Sequence, residues 1–78
     1  MLLKNIDYME KVGNAIERCK GDVYLRLDDN TQRSLKEDPF LLQTIRKMKL
    51  GEEGLDLRFQ NRDDLMRFMN EVYNTYQV

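Results

Sequence analysis

GLDLRFQNRDDLMRFMNEVYNTY, residues 54–76, combines two different spacings of apolar residues in one stretch. In the first half, Leu55, Leu57 and Phe59 alternate with charged residues, which predicts a strand with one dry face and one wet face. In the second half, apolar residues recur at helical spacing at Leu65, Phe68, Met69, Val72 and Tyr76. The apolar faces of this strand and this helix can be fully buried only if they pack against a third element. We expect the rest of the chain to supply that element.

Upstream of this stretch, the pattern predicts one helix and one strand. Apolar residues three or four positions apart mark the helix, at Ile6, Met9, Val12, Ile16 and Cys19. Asn5 or Asp7 is the expected N-cap, and Gly21 is the expected stop. Three alternating apolar residues then mark the strand, at Val23, Leu25 and Leu27.

The middle of the chain contains one ambiguous segment and one clear helix start. Residues 32–36 form at most a short, charged edge strand, because Leu35 is their only apolar residue. Asp38 followed by Pro39 predicts a helix, since proline at the first helical position leaves no N–H unpaired and aspartate caps the next donors. This helix is expected to continue through Lys49 and to end at Gly51.

These elements predict a single α+β domain over residues 1–78, in the order α-β-(β)-α-β-α. The expected architecture is a small open-faced sandwich, with an antiparallel sheet of two to three strands and the helices on one face. The other sheet face is expected to carry polar side chains, namely Tyr24, Arg26, Asp56 and Arg58.

Composition excludes several classes of function. The chain contains one cysteine and no histidine, so it has neither an internal disulfide nor a zinc ligand set. It also lacks a glycine-rich phosphate loop, so no cofactor is expected. The net charge of -1 lacks the basic excess of a nucleic-acid binder. Residues 1–4 are too short for a signal peptide or a membrane span, which predicts a cytoplasmic protein with no membrane contact.

Three segments carry a resemblance to a known family. They are DVYLRL at residues 22–27, EDPFLLQTI at 37–45 and LDLRF at 55–59. In this order and spacing, the chain resembles the HPr family, the small phosphocarrier proteins of the bacterial sugar phosphotransferase system, over residues 7–76. The resemblance implies an HPr-like fold and a bacterial-type domain.

The chain departs from that family at the positions that carry its function. The family phosphorylates a histidine at the start of its first helix, and this chain has none, so phosphocarrier activity is not expected. A regulatory serine of the family would fall near Asp38. The family fold also begins with a strand beside the last one, where this chain has only residues 1–4. Without that first strand, the backbone N–H and C=O groups along one edge of the predicted strand at 55–59 would be unpaired and open to a second copy of the chain. The alternatives are that residues 1–4 fold back over this edge or that water binds its N–H and C=O groups.

The expected interface consists of that open edge and of apolar residues that lie outside the main apolar face of each predicted helix. The edge strand contributes Leu55, Asp56, Leu57, Arg58 and Phe59. Tyr8, Met66 and Tyr73 would mark a partner surface if they cluster, and would be ordinary exposed side chains if they scatter.

The remaining candidates favour structure over chemistry. Cys19 on an apolar stripe is expected to be buried and inert, and the acidic pairs at 28–29, 52–53 and 63–64 suit turns and helix starts. The sequence therefore predicts a non-enzymatic protein-interaction or regulatory domain, acting as a homodimer or with a protein partner. The alternative is a nucleic-acid-binding accessory protein, whose basic residues would be Arg46, Lys47, Lys49, Arg58, Arg62 and Arg67 with Tyr24 as a stacking platform.

Overall fold

A four-stranded antiparallel sheet packs against three helices in this protein, whose computed structural model describes residues 1–73. The elements in chain order are β1 (Leu2–Leu3), α1 (Met9–Glu17), β2 (Val23–Asp28), β3 (Thr31–Ser34), α2 (Pro39–Arg46), β4 (Leu55–Phe59) and α3 (Arg62–Tyr73). The strands lie in the order β1-β4-β2-β3. The α+β open-faced sandwich is confirmed, with one strand more than the two to three expected.

The additional strand is β1, which lies beside β4. Leu2 is opposite Asp56 and Leu3 is opposite Leu55, while Met1 and Leu57 exchange two backbone hydrogen bonds of 2.7 Å. Of the two alternatives for the β4 edge, the structure has the one in which residues 1–4 fold back over it, and the open edge favoured for dimerisation is wrong. Two strand residues are too few to show a period of two, so residues 2–3 carry no strand pattern in the sequence.

Gly54 allows β1 to approach this closely. Its φ is +73°, and a Cβ at this position would lie 2.5 Å from the Leu3 carbonyl oxygen. Only glycine combines that backbone conformation with that approach. Gly54 therefore allows β1 to lie beside β4.

The exposed edge of the sheet is β3, at the opposite side from β1. Its four residues are polar or charged, so the ambiguous segment does contain a short edge strand, at Thr31–Ser34 and not over residues 32–36. The β2–β3 turn forms as the Asp-Asp-Asn run predicts, with the Asn30 N–H donating to Asp28 Oδ1 at 2.9 Å. Such an edge discourages pairing with another strand.

Two helix boundaries differ from the prediction, and one contact explains both. Ile6 and Leu50 form an isolated antiparallel bridge, with N···O distances of 3.0 and 2.9 Å. Ile6 therefore lies outside α1, which begins at Met9 with Tyr8 as an N-cap that makes no side-chain cap bond. To bring Leu50 to this bridge, α2 ends at Arg46 and does not reach Lys49.

The start of α2 is as predicted. Asp38 is the N-cap, its carboxylate accepts from the Leu41 N–H at 3.0 Å, and Pro39 is the first helical residue. Residues 39–46 then place Leu42 and Ile45 in the core. The carbonyl and carboxylate of the cap residue thus begin the helix as the sequence pattern indicates.

The core lies between the sheet and the helices. Its largest fully buried apolar side chains are Phe68, Leu3, Met9, Ile16, Leu35, Ile45 and Leu57. Phe68 of α3 contacts the Phe59 ring of β4 at a centroid distance of 4.9 Å. Met69 was expected in this core and is 41% exposed, and Tyr76 lies outside the described residues.

Candidate interaction surface

The polar groups near α1 hold the helix in place. Gly13 faces Arg46, and a Cβ at Gly13 would lie 2.6 Å from Arg46 Cγ. The Arg46 guanidinium then bonds the side chains of Asn14 and Glu17, with an Nη2 to Oε1 distance of 2.9 Å to Glu17. Arg46, one of the basic residues of the nucleic-acid alternative, thus joins α2 to α1.

The C-terminal end of α1 is capped from two sides. Lys36 Nζ donates to the carbonyl oxygens of Glu17 and Cys19. Asp64, which is buried, accepts from the Lys20 and Gly21 N–H groups at 3.0 and 2.7 Å. The Gly21 and Lys20 N–H groups hold the pKa of Asp64 below its ordinary value. Asp64 was expected as one of a helix-start pair, and it also joins α3 to α1.

Cys19 lies between these two caps and is buried, as the sequence predicts. Burial, followed by the nearby Asp64 charge, raises the pKa of the thiol to about 11. A thiol with this pKa is almost entirely protonated at neutral pH and is a poor nucleophile.

The described residues do not assemble a recognisable chemical site. In residues 1–73, every buried side-chain nitrogen and oxygen has a hydrogen-bond partner. Over the same range, no three acidic or cysteine side chains group as metal ligands, and no helix has the length and apolarity to span a membrane.

The open face of the sheet carries a balanced set of charges. Tyr24 lies opposite Arg58 and Arg26 lies opposite Asp56, which confirms that these four share the polar face. Arg26 forms ion pairs with Asp56 at 3.6 Å and with Asp29 at 3.7 Å. Acidic residues thus neutralise this cation within the face itself.

The outer side of α3 carries exposed apolar side chains. Met66, Met69 and Tyr73 follow one another at intervals of three and four residues and are 53%, 41% and 46% exposed. We refer to these three residues as the α3 face. Tyr8 lies close enough that, after burial, it is the second cause that raises the pKa of Tyr73. Met66 and Tyr73, two of the residues expected at an interface, therefore lie on this face, and Tyr8 is half-buried against the core.

The chain matches no family model, no curated protein and no solved structure.

The five strand residues expected at the interface do not form one surface. Leu57 is 1% exposed and lies between β1 and β2, so it cannot contact a partner. Leu55 and Phe59 are half-buried on the helix side, whereas Asp56 and Arg58 lie on the open face. The structure thus divides this set between the core and two sides of the sheet.

Sequence reasoning missed Met69 as a surface residue. Its position suits the apolar stripe of α3, but it is also three residues after Met66 and four before Tyr73. That second spacing was the available signal, since helical residues three and four apart share a face.

Proposed function

We propose that this protein is a non-catalytic protein-interaction or regulatory domain, and that the α3 face is its contact surface. The exposed Met66, Met69 and Tyr73 side chains on one side of one helix are the observation that carries the proposal. Methionine is flexible and polarisable, and it packs against irregular partner surfaces. Grouped exposed apolar side chains are typical of contact sites on small domains.

We further propose that the fold is HPr-like and that the domain is cytoplasmic and bacterial in type. The position of β1 beside β4 supports this reading, because the resemblance implies a first strand beside the last. Without a histidine, the chain has no group to carry a phosphoryl as the family does. A domain that has this fold but lacks the phosphorylated histidine would act by binding another molecule.

Self-association is the form of binding that we favour, through α3 and not through a strand edge. The β4 edge is covered by β1 and Met1 as far as Leu57 and the β3 edge is polar, so neither offers a second copy a full strand edge. Two α3 faces related by a two-fold axis would cover each other's methionines. A domain of 78 residues also gains stability from the added apolar burial.

Sedimentation velocity over a range of concentrations tests this proposal. The wild type is expected to dimerise with increasing concentration, and the Met66→Glu/Met69→Glu variant is expected to stay monomeric. Met48→Glu is the matched control, because Met48 is also an exposed methionine but lies after α2. A wild type that remains monomeric at millimolar concentration would contradict self-association, as would a dimer unaffected by the double substitution.

One observation favours the second candidate, nucleic-acid binding. Tyr24 and Arg58 are neighbours on the open sheet face, an arrangement that can stack a base and contact a phosphate. The ion pairs of Arg26 with Asp29 and Asp56 count against it. A salt-dependent retardation of single-stranded DNA or RNA in gels, lost in Tyr24→Ala, would support this candidate, and no retardation at low salt would remove it.

A further inference from the structure

A groove lies where the end of β4 passes into α3, beside the first residue of the chain. Its volume is about 310 Å³. Its accessible apolar lining comes from Met1, Phe59 and Leu65, above the buried Leu57. Asn61 and the two cations Arg58 and Arg62 complete it. We refer to it as the β4–α3 groove. It does not include the methionines of the α3 face.

The charge of this groove differs from that of the other depressions on the surface. The cleft between the start of α1 and the end of α2 contains Asp7, and the depression at the β2–β3 turn contains Asp28. No acidic residue of the described chain lines the β4–α3 groove. Arg58 and Arg62 are both exposed, and neither has an ion-pair partner within residues 1–73. The groove therefore combines an apolar surface with two unpaired cations, which suits a ligand that carries both apolar and anionic groups.

The backbone at the groove also has an open position. Leu57 bonds Met1 on one side of β4, and the Gln60 N–H bonds Asp22 on the other side at 2.9 Å. Because hydrogen-bonding direction alternates along a strand, the Phe59 N–H and C=O point to the same side as those of Leu57. No strand residue of the described chain lies opposite Phe59 there.

We propose that the β4–α3 groove binds an extended, acidic segment of a partner protein. One apolar side chain of the segment packs on Phe59 and Leu65, and flanking carboxylates contact Arg58 and Arg62. The segment's backbone pairs with Phe59, as in the addition of a strand to a sheet edge. An acidic peptide fits better than nucleic acid, because the unpaired Phe59 N–H and C=O can pair with a peptide backbone, and carboxylates can contact Arg58 and Arg62.

Titration of the ¹⁵N-labelled protein by NMR tests the proposal with a blocked peptide, Glu-Leu-Glu-Phe-Glu. We expect saturable shifts of the Phe59, Asn61 and Leu65 amides, and little response to the same peptide with glutamine for glutamate. Arg58→Gln/Arg62→Gln is expected to weaken binding roughly tenfold, since it removes both exposed charges that contact the peptide's carboxylates. Both side chains are exposed, so an unchanged free spectrum away from the groove verifies the fold.

Lys47→Gln/Lys49→Gln is the matched control, because it removes the same charge from exposed lysines elsewhere. Equal weakening in both variants would show binding to net charge only and would overturn the proposal. Shifts that map to another surface would overturn it too, as would a single-stranded oligonucleotide that binds the groove more tightly than the peptide. Self-association is measured separately by sedimentation, so failure of one proposal leaves the other to be judged on its own result.

Discussion

The helices α1 and α3 are both amphipathic and cover the same sheet, but α1 is enclosed and α3 is not. α1 contacts α2 on one side and α3 on the other. Arg46 crosses its middle, and Lys36 and Asp64 cap its end. α3 contacts α1 and β4, while its other side carries exposed methionines. Position within the helix layer, and not amphipathicity, decides which helix retains a free apolar face.

This difference separates the two roles that a small domain must combine. Polar side chains converge on α1, where they join elements that are distant in sequence. Apolar side chains remain about half exposed on α3, where part of their surface faces solvent. Substitutions at α1 should therefore change stability, and substitutions on the α3 face should change binding alone.

The largest expected effect compares the two sides of α3 itself. Phe68→Ala removes a buried ring that packs on Phe59 and should lower the free energy of unfolding by about 3–5 kcal/mol. Met66→Ala, on the exposed side, should change it by about 0.5 kcal/mol or less. Urea unfolding followed by circular dichroism measures both. Similar losses in the two variants would mean that Met66 is buried, and would contradict the difference between the buried and exposed sides of α3.

A smaller loss is expected where α3 reaches across to α1. Asp64→Asn replaces the carboxylate that accepts from the Lys20 and Gly21 N–H groups. Because these bonds lower the folded-state pKa of Asp64, its contribution is complete above the unfolded pKa of about 3.9 and is lost as pH falls through the folded value.

Unfolding measured from pH 7 down to acid checks this contribution. The Asp64→Asn variant should be less stable than the wild type at neutral pH, and the gap should narrow below about pH 4. Asp63→Asn is the control, because Asp63 is the exposed neighbour in the same helical turn. If the gap persists unchanged in acid, the carboxylate does not hold α1 by its charge.

A third test concerns the contacts of Arg46 that join α2 to α1. Gly13→Ala should lower stability by about 1–2 kcal/mol, because the new Cβ displaces Arg46 from Asn14 and Glu17. In the Arg46→Ala background the same change should raise stability by up to about 1 kcal/mol, since alanine favours helix over glycine. A double-mutant cycle in urea measures this coupling. Additive effects would show that Arg46 does not rest on Gly13.

The sequence predicted the parts of the fold that local pattern governs. Asp38 and Pro39 began a helix, and the leucine alternations at β2 and β4 became neighbouring strands. The wrong boundaries came from long-range contacts. The Ile6–Leu50 bridge shortens two helices at once, and no local window includes both residues.

The candidate surface was predictable only in part, for a similar reason. Met66 and Tyr73 were identified because they lie off the main stripe, but the exposure of Met69 depends on where the helix layer ends. The strand-edge surface was wrong because a strand of two residues, β1, has no periodicity to detect. Short elements that tertiary contacts stabilise leave little trace in sequence.

The smallest expected effect is chemical and lies inside the enclosed region. With burial and then the Asp64 charge raising the pKa of Cys19 to about 11, roughly one thiol in ten thousand is ionised at pH 7. Iodoacetamide at pH 8 should therefore label native protein far more slowly than protein in urea, as followed by mass spectrometry. Asp64→Asn should speed native labelling moderately, because it removes one cause of the raised pKa, whereas Met66→Glu on the α3 face should not. Rapid labelling of the native wild type would mean that the end of α1 opens, and that α1 is no better enclosed than α3.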